Sequence, residues 1–425
     1  MVITASQITR GISRGVQTEY IVIEEGCLKN FREILRQNKI DGVVAGLFDA
    51  NTIRAEGMSV PDIDQRIILD ADGLHADEKA VEKTLSQLRG DVNVIAAFGS
   101  GTITDIARYC AKLKNLTFVS CPTAASVDGF CSSVCAMTFN GTKVTLAAVA
   151  PKVVIADLAV IKNAPVKLVK SGFGDILGKY VSLADWKISQ LLTGEYYCED
   201  TARLVRDALT SVTDAVKNNV SDGDGFYTQT TYALLLSGLA MQIVGSSRPA
   251  SGAEHHFSHL VTVAPPSLGI RTDALHGESV GVGTLAVIRR YKAALERLQS
   301  PDGFAQELSA RLSELHRSGG SLHNIGFYRG NFGELAETLY RENENDCLAS
   351  VDVSVLKERW DDVRQVVSDI PSADELEKIF RRLGMKTTLS DIDVDEAKKP
   401  LIMGLSPYIR NRLTLNRLLL LIDRI

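Results

Sequence analysis

The feature that most constrains the fold of this chain is a change of texture near Pro165. Before it, short apolar runs alternate with amphipathic stretches. Residues 20–23, 42–48, 66–69, 92–98 and 117–121 read as strands, and residues 28–37, 76–88 and 103–113 as helices. That alternation predicts a parallel sheet with helices on both faces. Two further strand-like runs, 134–139 and 143–149, flank Asn140-Gly141, a strong hairpin signal and an addition to the sheet. After Pro165 strand signals fade. Helical patterns occupy 177–192, 201–218, 230–243, 253–263 and 279–298, and the rest is helical with polar joints, including a charged loop at 341–346. The expected fold class is therefore an α/β domain over residues 1–165 followed by an all-α domain over 166–425.

With 425 residues, 45% of them hydrophobic and 23% charged, the chain can build two or more sizeable cores. Its 47 basic and 52 acidic residues give a net charge of −5, with no Lys/Arg block, which disfavours nucleic acid as a partner. The first residues lack a basic-then-apolar signal pattern, and the late apolar run 418–422 is far too short to span a bilayer. A cytoplasmic protein without membrane insertion is expected. Seven cysteines suit a reducing compartment. Cys131 and Cys135 form a Cys-x3-Cys pair in an apolar stretch; no second pair completes a zinc set, which favours packed thiols over a metal or redox site.

The run ending at Phe98 delivers the chain to Gly99-Ser100-Gly101-Thr102-Ile103-Thr104-Asp105. Glycines there allow close approach to a pyrophosphate and positive φ, and a helix starting near Thr102 would point free N–H groups at an anion. The spacing departs from Gly-x-Gly-x-x-Gly, so an ordinary strand-to-helix turn stays open, as does a plain helix-acid role for Asp105. Asp49 ends an earlier strand, where it either accepts a ribose diol or caps the next helix. The loop Pro122-Thr123-Ala124-Ala125-Ser126-Val127-Asp128-Gly129-Phe130 also comes after a strand, and its small side chains suit a surface pressed against a ligand or an ordinary turn.

Four of the seven histidines lie between positions 255 and 276. On a helix His255 and His259 stand i and i+4 on one face, while His256 is rotated away by about 100°. His276 precedes another helix. Asp175, in Ser171-Gly172-Phe173-Gly174-Asp175, reads as a first-turn acid after a glycine-flanked turn. Imidazole nitrogens with one carboxylate suit zinc, nickel or iron(II) with an open position. A metal together with a dinucleotide points to hydride chemistry.

Taken together, the strings 99–105, 122–130, Gly172-Phe-Gly-Asp-Ile-Leu-Gly-Lys179, Ser182-Leu-Ala-Asp-Trp186, Ser247-Arg-Pro-Ala-Ser-Gly-Ala-Glu-His-His-Phe-Ser-His259 and Leu275-His-Gly-Glu278 resemble the glycerol-1-phosphate dehydrogenase branch of the iron-containing alcohol dehydrogenase and dehydroquinate synthase-like superfamily, closest to its bacterial AraM-like members. The resemblance covers roughly residues 15 to 295. It implies a Rossmann-like nucleotide-binding domain joined to a helical metal- and substrate-binding domain. It also implies reversible NAD(P)H-linked reduction of dihydroxyacetone phosphate to sn-glycerol 1-phosphate, in the service of lipid synthesis. A glycerol dehydrogenase and a dehydroquinate synthase-like lyase are the neighbouring alternatives. By similarity Asp175, His255 and His276 bind one divalent metal, zinc or nickel. Asp128, Asp175 and His259 form the catalytic and substrate set. Asp49, Gly99, Ser100, Gly101, Thr102, Ile103, Asp105, Thr123, Ala124, Ala125, Ser126 and Ser132 form the cofactor set for NAD, with NADP also open. Cys131 departs from the hydroxyl residue common there. For the substrate phosphate Lys179 and Arg248 are the cations at hand, with an ordinary helix or loop cation as the alternative for each. A small-molecule substrate and a homo-oligomer, a dimer first, complete the expectation.

Overall fold

The computed structural model describes residues 1–4, 16–139, 142–217, 223–297, 301–317 and 322–422. Its strands are β1 (Val2–Thr4), β2 (Tyr20–Glu24), β3 (Val43–Asp49), β4 (Gln65–Leu69), β5 (Val92–Gly99), β6 (Thr117–Pro122), β7 (Val134–Phe139), β8 (Thr142–Ala147) and β9 (Val153–Asp157). Seven of them form one sheet in the order β1-β2-β9-β6-β5-β3-β4, and β7 and β8 pair separately. Every neighbouring pair in the large sheet is parallel except β1 with β2.

Side chains alternate across this sheet with a period of two, and both faces are covered. Val94, Ala96 and Phe98 of β5 join one core with Val44, Phe48, Leu28 and Phe31. Ile95 and Ala97 join the other with Leu47, Ile67, Ile103, Ile106 and Cys110. Phe48 and Phe98 stack at 4.5 Å between ring centroids. Burying each such side chain contributes about 1.5–3 kcal/mol. The first core is closed by α1 (Phe31–Gln37), the second by α2 (Glu78–Gln87), α3 (Gly101–Lys114) and the inward Cys135 and Met137 of β7. The β7–β8 hairpin stands apart from the alternation as expected; its Asn140-Gly141 turn lies outside the described residues.

Two strands escape the sequence reading. β1 is a short edge strand. β9 is central, between β2 and β6. Its run Val-Val-Ile-Ala-Asp is buried throughout and passes directly into Leu158, so periodicity cannot separate strand from helix there.

Beyond the sheet come the helices α4 (Leu158–Ile161), α5 (Val166–Leu177), α6 (Lys179–Thr193), α7 (Glu199–Lys217), α8 (Asp224–Val244), α9 (Ala253–Val263) and α10 (His276–Arg297), then Pro301–Arg317 and shorter segments to Leu415–Leu419. Two of them end on glycines in the left-handed region, Gly194 at φ 71° and Gly245 at φ 72°. Among the described residues no helix is long and apolar enough to cross a membrane.

The chain divides into two compact units, Met1–Ile176 with Asp200–Ser247, and Leu177–Glu199 with Arg248–Ile425. The strands do end before Pro165, but α5, α7 and α8 belong with the sheet. The reason lies on α8. Gly238 has no Cβ; one there would stand 2.8 Å from the Asp128 carbonyl oxygen. Gln242 donates from Nε2 to the Cys131 carbonyl and, at 2.8 Å, to Thr18 Oγ1. In the other unit, Arg417 and Asp346 form a buried ion pair at 2.7 Å, with Arg417 4.3 Å over the Tyr408 ring. The charged joint at 341–346 thus ends in an anchor rather than a solvated linker.

Candidate metal and cofactor site

The sheet-bearing unit gathers the cofactor candidates at the carboxyl ends of three adjacent parallel strands, β3, β5 and β6. Asp49 closes β3. Its Oδ1 accepts the N–H groups of Asn51 and Thr52, each at 2.8 Å, so the capping reading is realised through that oxygen. Gly99 closes β5, and its carbonyl accepts the Thr123 N–H at 3.2 Å, tying the loop after β6 to the loop after β5. Ser100 is the N-cap of α3 but makes no side-chain cap bond, which leaves the first-turn N–H groups at Gly101, Thr102 and Ile103 facing out of the helix end.

Neither Gly99 nor Gly101 takes a positive φ. A Cβ at Gly99 would lie 2.4 Å from Ile103 Cβ, so this glycine seats α3 on its own strand. At Gly101 the nearest atom to a Cβ is Val127 Cγ2 at 3.4 Å, an ordinary contact.

Asp105 is engaged within the fold. It pairs with buried Arg108 at 3.2 Å and accepts the Ala136 N–H at 3.3 Å. Arg108 in turn donates to the carbonyls of Gly129, Phe130 and Val134, which fixes the turn at Asp128–Cys131. Thr123, Ala124, Ala125, Ser126 and Ser132 are buried. Ser126 Oγ has no partner among the described residues, while Ser132 Oγ accepts the Val134 N–H at 3.1 Å. Cys131 and Cys135 are free thiols pushed by burial to about 12, too high to supply thiolate.

Asp175 sits in the last turn of α5, not the first turn of a helix as its flanking glycines suggested. Gly172 is helical, and its missing side chain serves packing. A Cβ there would lie 2.1 Å from the Ala125 carbonyl oxygen, so α5 presses directly on the loop after β6. Asp175 is fully buried, and its Oδ2 accepts the Asp128 N–H at 3.0 Å. Asp128 Oδ2 accepts from Ser237 Oγ of α8 at 2.9 Å. The carboxylates of Asp128 and Asp175 are thereby set by partners within one unit.

The helical unit holds the histidines. His255 and His259 share a face of α9, and His276 opens α10. Their rings face one another, with centroids 6.0 Å apart for His255 and His259, 5.2 Å for His255 and His276, and 6.1 Å for His259 and His276. His256 is turned away, as helical geometry requires. It is fully buried, both its ring nitrogens lack partners among the described residues, and burial with Arg412, Arg248 and Arg410 holds its pKa well down.

Both cations considered for a substrate phosphate are buried and committed. Lys179 Nζ donates to the Ala250 carbonyl at 2.9 Å. Arg248 pairs with Glu195 and donates to Ser189 Oγ and the Leu413 carbonyl.

Two acids beside the histidines were not singled out from sequence. Glu254 Oε1 lies 2.7 Å from His255 Nδ1. Asp185 accepts from the Ala253 and Leu415 N–H groups and from Tyr291 Oη. Burial raises its carboxyl to about 7. The signal was present in both cases, as an acid adjoining a histidine pair and an acid inside an apolar helix.

Known proteins are similar to this chain in sequence and in fold. Residues 22–165 match the family model described as iron-containing alcohol dehydrogenase. A glycerol-1-phosphate dehydrogenase (NAD(P)+) from Bacillus licheniformis is 37% identical over 257 residues, 60% of this chain; the chain spans 63% of the length of that relative. The enzyme of the same name from Bacillus subtilis is 34% identical over 301 residues, 68% of this chain and 74% of its own. Among solved structures, a sulfoacetaldehyde reductase from Bifidobacterium kashiwanohense in complex with NAD+ aligns with a TM-score of 0.58 at 16% identity, covering 93% of this chain and 92% of that one. That likeness concerns the fold, an α/β sheet domain with a helical C-terminal region, as the sequence led one to expect. With the relatives at this identity and coverage, the chain belongs to the glycerol-1-phosphate dehydrogenase family of the iron-containing alcohol dehydrogenases.

Proposed function

We propose that this chain carries out the metal-dependent, NAD(P)H-linked, reversible reduction of dihydroxyacetone phosphate to sn-glycerol 1-phosphate. The observation that carries the reading is the facing set of His255, His259 and His276 in a member of this family. Asp175, His255 and His276 would hold one divalent ion, zinc or nickel. The donors fit such an ion in chemistry: two imidazoles and one buried carboxylate, with His255 Nδ1 engaged by Glu254 so that Nε2 is left as the ligand atom. When bound, the metal supplies Lewis-acid polarisation of the ketone oxygen and the nicotinamide supplies hydride.

The chain's own residues do the rest. The N–H groups at Gly101, Thr102 and Ile103, with the backbone at Gly99 and Ser100, bind the pyrophosphate. Asp49 keeps Oδ2 for the adenosine ribose. Thr123, Ala124, Ala125, Ser126 and Ser132 line the nicotinamide side. Asp105 serves the same loop through Arg108. Asp128, held by Ser237, orients the substrate, and His259 holds a substrate hydroxyl and moves its proton. A cytoplasmic homodimer belongs to the same reading, and sedimentation measures its oligomeric state.

The test is NADH oxidation by protein first stripped with chelator and then reloaded with zinc or nickel, offered dihydroxyacetone phosphate or dihydroxyacetone. Metal-dependent turnover of the phosphate ester alone is expected. Turnover of the unphosphorylated ketone would make the enzyme a glycerol dehydrogenase, and no oxidation of either would remove the reading.

A further inference from the structure

The start of α9 holds its acid and its histidine in one hydrogen-bonded unit. Glu254 is fully buried. Its Oε1 accepts the Gly252 N–H at 2.9 Å and stands 2.7 Å from His255 Nδ1. An amide N–H can only donate, so Oε1 already acts as an acceptor. The contact with His255 is then satisfied when Nδ1 carries the hydrogen, which leaves Nε2 as the lone-pair nitrogen.

The carboxylate is also walled in. A Cβ on Gly252 would lie 2.8 Å from Glu254 Oε2 and 2.7 Å from Asp185 Oδ2. On α10, a Cβ on Gly283 would lie 2.9 Å from the Glu254 carbonyl oxygen. Two glycines thus let neighbouring backbone close around this one turn. Asp185 holds the same turn from the other side, accepting the Ala253 N–H at 2.9 Å.

We propose that Glu254 is a positioning residue for the metal: it fixes His255 in the Nδ1–H tautomer and aims Nε2 at the ion. The proposal rests on the reading of His255 as a metal ligand. Partners of this kind commonly change metal affinity 10–100-fold when removed.

The test uses Glu254→Ala, Glu254→Gln and His255→Asn in the full chain. Histidine labelled with a nitrogen isotope reports, in metal-free protein, which ring nitrogen carries the hydrogen; loss of one signal set in His255→Asn assigns His255. Zinc affinity is read by competition with a chromogenic chelator, and thermal unfolding checks the fold. The wild type is expected to show Nδ1–H at His255. Glu254→Ala is expected to lose that tautomer and to weaken zinc binding roughly 10–100-fold. Glu254→Gln, which keeps an acceptor oxygen, should retain the tautomer and most of the affinity, and it carries the test if the alanine variant fails to fold. An Nε2–H tautomer in the wild type overturns the proposal, as does wild-type zinc affinity in Glu254→Ala while His255→Asn binds weakly. Wild-type affinity in His255→Asn instead removes the ligand reading beneath it.

Discussion

At the scale of single residues the site is a set of groups whose orientation is decided by a near neighbour. Asp175 is the sharpest case. Its carboxylate is buried at the end of α5 and accepts the Asp128 N–H. A buried carboxylate offers a metal both charge and a fixed oxygen; an amide offers neither charge nor a second equivalent oxygen. Asp175→Asn is therefore expected to lose metal and turnover together, as metal analysis and NADH oxidation on the same sample would show. His259→Ala should lower turnover more than metal content, and equal loss of metal in His259→Ala and His255→Ala would show the two histidine roles to be misassigned. Sequence spacing located the histidines because i and i+4 positions share a helix face whatever surrounds them. Adjacency to the histidine pair marks Glu254 as a nearby acid but leaves open the direction of its side chain, on which its role depends.

The elements show where local patterns mislead. Gly172 and Gly174 suggested a turn, because glycine costs about 1 kcal/mol in a helix interior. α5 nonetheless runs through both, and the space left by Gly172 admits the Ala125 carbonyl. Gly172→Ala should consequently destabilise the protein by about 1–3 kcal/mol, the usual penalty for overpacking, and weaken NADH binding by moving the loop that holds Ala124 and Ser126. Chemical denaturation and fluorescence titration of the nucleotide check the two parts separately; full stability with full affinity would show that the close approach is dispensable. The parallel strands were readable since a sheet covered on both faces demands near-continuous apolar runs between turns. β9 escaped for the same reason, a buried run being equally compatible with a helix. The Gly99 loop was legible as a loop but its glycine was read for a ligand, whereas the atom that excludes a side chain there belongs to Ile103.

For the whole molecule, a single buried acid couples stability to pH. Asp185 joins α6 to the starts of α9 and of the Leu415–Leu419 helix and to Tyr291 of α10. Burial raises its carboxyl from 3.8 to about 7. The folded chain thus holds a proton that the unfolded chain releases, so this contribution is complete below 3.8 and is lost as pH rises through about 7. Asp185→Asn removes the titration. Its unfolding free energy, though lower overall, should fall less steeply than that of the wild type from pH about 4 to 7, and parallel pH profiles in urea would exclude Asp185 as the source.

The two-piece composition of each compact unit has a consequence for synthesis. Asp200–Ser247 belongs with the sheet, and Leu177–Glu199 does not. The ribosome therefore releases a piece of the later unit before the earlier one is whole. Until α8 emerges, Thr18 and the Cys131 carbonyl lack the Gln242 amide that joins them. The sheet-bearing unit has all its residues only once Ser247 has been added, and the later unit only once Ile425 has.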